Sequence, residues 1–190
     1  MASGAYLRGQ MAGAIILALF GGGWLITSLA MWPFRPNWAL SVAIVTAVTL
    51  VVLCVFRLIN LKSVARSQDP AAAQEGRRKG MIFGLIFGAE CGFIGLCSLV
   101  LARYGLGLWI PIVVALIVGL HFLPLAKLFN VPLYYWTGAL CVLGVVACLM
   151  IYDPAFRLRC VGFTMTIVLW GTVLGLFFRV GRAERHLAAA

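Results

Sequence analysis

Residues 81–101 read MIFGLIFGAECGFIGLCSLVL, and a single charge, Glu90, stands in that run. A stretch of this length and apolarity matches a helix crossing roughly 30 Å of hydrocarbon, which takes about 20 residues. Five further runs of the same kind can be drawn, giving expected spans at 11–33, 38–58, 81–101, 107–126, 133–152 and 160–178. What lies between them is short, apart from a connection at 59–80. The predicted fold class is all-α: a polytopic membrane protein, a bundle of six transmembrane helices in one membrane domain spanning 1–190.

Composition agrees. The chain is 64% hydrophobic and only 11% charged, with a mean hydropathy of +1.07. Soluble domains carry about a quarter charged residues, so too little polar surface is available here to face water on all sides. A β-barrel is disfavoured because barrel strands are about ten residues long and alternate in polarity. The formal net charge of +10 points to membrane topology rather than nucleic acid: the basic runs are not interleaved with stacking aromatics.

Six spans put both termini on one side. Arg8, Arg57, Lys62, Arg66, Arg77, Arg78, Lys79, Lys127, Arg179, Arg182 and Arg185 then share that side, 11 in all, against 4 on the other, Arg35, Arg103, Arg157 and Arg159. The excess of Lys and Arg marks the cytoplasmic face. Both termini and the basic 59–80 loop are therefore expected in the cytoplasm, with the inner membrane of a bacterium as the expected location. Within the loop, Leu61 to Arg66 has the pattern of a short interfacial helix, and Asp69-Pro70 that of a helical start. Arg77, Arg78 and Lys79 are expected to fix topology and touch anionic lipid. Trp32, Trp38, Tyr104, Trp109 and Tyr152 fall at the proposed outer ends, where aromatic rings anchor helices at headgroup level. Trp24 and Trp170 lie deeper and are expected to pack against neighbours. The first apolar run resembles a signal sequence in part, but its length favours a retained helix.

Gly80, Gly84, Gly88 and Gly92 recur every four residues along the third span. Such a row lets another helix approach closely in a bilayer, so it is expected to serve helix packing, against an internal helix or a second copy of the chain. Glu90 lies beside it and is the one acid deep within any span. An intramembrane carboxylate is costly unless paired or protonated, which makes it a functional candidate by default. His121 on the fourth span is its natural partner. At 1.5 Å per residue, Glu90 lies roughly 13 Å and His121 roughly 8 Å from the inner edge, within reach of one another if the two helices touch. A His–carboxylate pair passes protons near neutral pH. Further along the fourth span, Gly119 and Pro124 predict a kink or an end to that helix.

The remaining signals are negative. No CxxC or metal-ligand spacing accompanies the six cysteines, which read as small hydrophobes. No cofactor motif is present. Paired NPA motifs, a GxSx serine, paired aspartate-rich motifs and a TVGYG filter are all missing, which sets aside aquaporin-like, rhomboid-like, prenyltransferase-like and potassium-channel-like readings. The leading expectation is a small secondary transporter, proton- or cation-linked, with Glu90 as the titrating or cation-binding group and His121 as its relay. A non-catalytic assembly or accessory protein, seated through the glycine row, is the alternative, and an intramembrane enzyme comes third.

Overall fold

A computed structural model of the chain describes residues 4–32, 37–64 and 70–188. Among them are six α-helices: α1 (Gly4–Ala30), α2 (Asn37–Val64), α3 (Pro70–Arg103), α4 (Ile110–Phe129), α5 (Leu133–Cys148) and α6 (Pro154–Ala188), with a 3-10 turn at Gly107–Trp109 leading into α4. The fold is an all-α six-helix bundle, and five of the helices are long and apolar enough to cross a membrane. The remaining one, α5, is apolar but shorter, with 16 residues, roughly 24 Å of helix. Exposed apolar side chains such as Val45, Leu85, Leu99, Leu143 and Ile167 girdle the bundle. A surface of this kind is stable against lipid and not against water, as fits a multi-pass membrane protein.

The helices alternate in direction and stand side by side in the order α2, α1, α6, α5, α4, α3. The α1–α6 contact is the core. Met11, Ala14 and Ala18 of α1 meet Met165, Leu169 and Val173 of α6, all buried. Three polar ties cross it: Trp170 Nε1 donates to the Ala18 carbonyl at 3.1 Å, Thr166 to that of Gly21 at 3.1 Å and Ser28 to that of Arg159 at 2.9 Å. Gly21 is needed there because a Cβ would collide with the Trp170 indole. Both deep tryptophans are thus accounted for by packing, since Trp24 is also buried. On α5 and α6 the Oγ1 atoms of Thr137 and Thr172 lie 2.7 Å apart in the interior.

Several local expectations change. The 59–80 segment is mostly helix: α2 continues to Val64, α3 starts at Pro70, and only 65–69, outside the described residues, lie between. Pro70 suits a first helical turn and Ala71–Ala72–Ala73–Gln74–Glu75 are strong helix formers, so nothing interrupts α3 before the membrane. Leu61 is buried as part of α2 and belongs to no separate interfacial helix. Arg66 and Asp69 lie outside the described residues, as does Arg35. Pro124 does not end α4, which runs on to Phe129 and stops at Asn130, whose φ of 51° is left-handed. The fifth helix stops at Cys148 rather than at 152. There Arg157 donates to the Ile151 carbonyl at 2.9 Å while Asp153 accepts the Phe156 amide at 2.7 Å, so a tight corner replaces the last turn.

Arg57, Lys79 and Lys127 collect at one end of the bundle with Arg179, Arg182 and Arg185 of the last turns of α6, as the alternating directions require. At the opposite end Arg159 lies over the rings of Trp32 and Phe156, and Arg157 over Trp109.

Candidate functional site

Phe83, Phe87 and Glu90 stand at i, i+4 and i+7 on α3, so one face of that helix presents two rings and then a carboxylate. His121 and Phe129 share a face of α4, about two turns apart. The helices run antiparallel, which sets Phe83 against Phe129 with ring centroids 5.8 Å apart, and His121 against Glu90. Nδ1 of His121 lies 3.1 Å from Oε2 of Glu90, and the two side chains are only 9% and 7% exposed. The edge of Phe87 meets the imidazole at 6.5 Å, and Phe83 and Phe87 stack at 5.9 Å. Aromatic faces thus form a continuous ladder from the basic end of the bundle up to the acid.

Beside this ladder is a cavity of about 360 Å³ between α1, α3 and α4, floored by Tyr134 of α5 and Leu169 of α6. Its wall on α1 runs from the small residues Gly9, Ala12 and Gly13 to the larger Ile16, Leu17 and Phe20. Glu75 and Lys79 stand at one end of the cavity, and Glu90 and His121 line it further along. Eleven residues separate Lys79 from Glu90, roughly 16 Å of helix. Glu90 lies about as far again from Arg103, so the cavity reaches from the end of the bundle to the middle of α3.

A carboxylate and an imidazole at this distance hold a proton between them in one of two forms. Either the imidazole donates Nδ1–H to the carboxylate, or the carboxylic acid donates to the bare nitrogen. Both partners line the same cavity.

The other sequence candidates are placed differently. Lys79 makes an ion pair with Glu75 one turn earlier on α3, at 2.8 Å, so it belongs to the mouth of the cavity. Arg77 and Arg78 are exposed on the same helix. At Gly84, Gly88 and Gly92 no atom comes within 4 Å of where a Cβ would stand, and the same holds at Gly80. Among the described residues, the glycine row therefore seats no other helix. The glycines that do permit close approach are elsewhere. A Cβ on Gly138 of α5 would lie 2.8 Å from the Gly119 carbonyl of α4, and one on Gly22 would lie 2.8 Å from Ala47 of α2. The α1 residues Gly9, Ala12, Gly13 and Ile16 that line the cavity recur at helical spacing in the sequence, a signal present in residues 9–16 alone.

No family model, no curated protein and no solved structure matches the chain.

Proposed function

We propose that the protein is a small proton-linked transporter, in which the Glu90–His121 pair takes up and releases the proton that drives a small solute. The observation that carries this reading is the pairing of the deep acid with an imidazole on the wall of a cavity that runs to the Glu75–Lys79 end. A pair serving only to join α3 to α4 has no need of such an opening. Intramembrane acids lining a cavity are the usual parts of proton relays. The excess of positive charge assigns the cavity mouth and both termini to the cytoplasm, with the chain in a bacterial inner membrane. The bare face of α3 leaves that helix free to shift against its neighbours during a cycle.

The test is proton movement in proteoliposomes carrying an internal pH-sensitive dye. Flux with a driving solute gradient should fall at least tenfold in Glu90→Gln and persist in Leu143→Ile, a change on the exposed face of α5. Equal flux in both variants would remove Glu90 from the mechanism.

A second reading has its own support. Of the row Gly80, Gly84, Gly88 and Gly92, the first lines the cavity and the other three lie outside its lining, which suits an assembly or accessory protein whose α3 receives a second copy or another helix along that stretch. Cys91 is exposed next to that row. Oxidative cross-linking in membranes through Cys91, lost in Gly88→Leu, would favour this reading.

A further inference from the structure

We infer that the cavity beside Glu90 takes a hydrophobic organic monocation, which exchanges for the proton held by the Glu90–His121 pair. This rests on the transport reading for its purpose, but the binding site stands on its own geometry. With its proton the pair is neutral overall, whether as acid beside imidazole or as carboxylate beside imidazolium. Without that proton it carries one negative charge on an apolar wall. An uncompensated charge there is costly, so the deprotonated site calls for one positive charge. Binding then releases one proton to water, and the charge of the site stays at zero.

The surrounding groups say which kind of cation. Hard cations such as calcium and magnesium need six or more oxygens; of the two carboxylates that line the cavity, Glu75 is taken by Lys79 at the mouth, which leaves that of Glu90 beside His121. Phe83, Phe87 and Phe129 instead line the approach to the acid with aromatic rings, a setting that suits a diffuse organic cation desolvated among aromatics. The volume, about 360 Å³, falls in the range of small-molecule sites. Lys79 at the mouth is matched by Glu75 at 2.8 Å, and among the described residues α1, α5 and α6 bring no ionised group to the lining. An anion would meet the negative form of the pair with nothing to neutralise it.

The experiment uses the purified full-length chain in detergent with tetraphenylphosphonium, the smaller benzyltrimethylammonium and tetraphenylborate, an anion of the same shape as the first. Binding is followed by equilibrium dialysis and proton release by pH recording in weakly buffered solution. The expected result is saturable binding of at least one cation with about one proton released per cation, and apparent affinity falling about tenfold per pH unit on the acid side. Glu90→Gln should abolish both signals while eluting as a folded species. Phe87→Leu should weaken binding about fivefold or more and leave the proton count unchanged. Tetraphenylborate binding as tightly as its cationic counterpart would overturn the inference, as would cation binding unchanged in Glu90→Gln. Absence of cation binding alongside Glu90-dependent proton flux in vesicles would overturn the cation class and leave transport standing. Binding with proton release but no flux would support the site and overturn the transport reading.

Discussion

His121 of α4 and Glu90 of α3 meet at 3.1 Å with both side chains largely buried, further along the two helices from the ring contact of Phe83 with Phe129. The tie has an energetic consequence separate from any transport. Glu90→Gln keeps a hydrogen-bonding partner for the imidazole and should cost about 1 kcal/mol, the scale of polar contacts between membrane helices. His121→Leu leaves the acid without a partner, and its cost should approach the low end of the roughly 3–5 kcal/mol seen on breaking buried pairs. Unfolding in mixed micelles of detergent and dodecyl sulfate measures both, and the double variant gives their coupling. Strictly additive losses would mean that the two groups do not interact in the folded protein.

Two sets of glycines should respond oppositely to a methyl group. Gly138→Ala drives a Cβ to 2.8 Å from the Gly119 carbonyl and 3.2 Å from Cβ of Phe122. Backbone cannot yield as a side-chain end does, so overpacking of about 1–3 kcal/mol is expected. Gly84→Ala adds a methyl where nothing lies within 4 Å, and should leave stability of the isolated chain unchanged or up to ~1 kcal/mol higher. The same unfolding assay compares them. A destabilised Gly84→Ala chain would reveal an internal partner for the glycine row.

This contrast also shows what could be read in advance. The helical class followed directly from hydropathy, because lipid demands long apolar helices and tolerates little else. Glu90 and His121 were legible because charge and imidazole are rare at that depth. The glycine row left an internal helix and a second copy both open as its partner: spacing along one helix says which face is smooth, not which helix lies opposite. Gly138 and Gly119 carry no such repeat, so their pairing appears only once α4 and α5 are set antiparallel. The 59–80 segment misled because its charges resemble a loop, while its alanines extend a helix beyond the bilayer. The cavity needed three helices at once, and no single stretch of sequence encodes that.

The corner before α6 should depend on one carboxylate. Asp153 accepts the Phe156 amide at 2.7 Å and its carbonyl accepts from the Arg157 amide at 2.9 Å. Asp153→Ala removes the side-chain acceptor from the first turn of α6, where capping is worth about 1 kcal/mol. Asp153→Asn retains the acceptor and should recover most of the loss. Thermal unfolding followed by circular dichroism would order the three chains. Equal stability of the Ala and Asn variants would show that Arg157, through its bond to the Ile151 carbonyl, holds the corner by itself.

The orientation assigned by charge is open to a direct measurement, and α5 makes that measurement informative. At 16 residues this helix is short for a typical bilayer, and it lies between α4 and α6 with Thr137, Cys141 and Val145 buried against them. A short helix held by its neighbours can still cross, because local thinning and tilt accommodate a few ångströms of mismatch at modest cost. Six crossings place both ends together, whereas five would separate them. Fluorescent-protein fusion at the C-terminus should therefore glow in the cytoplasm. Single cysteines at Tyr104 and Tyr152, both exposed and placed in a chain cleared of its own thiols, should react with a membrane-impermeant maleimide from outside intact cells. A cysteine at Arg78 should react only after permeabilisation. Labelling of Tyr104→Cys but not Tyr152→Cys would mean that α5 does not cross, and would return the C-terminal half of the topology to the opposite sense.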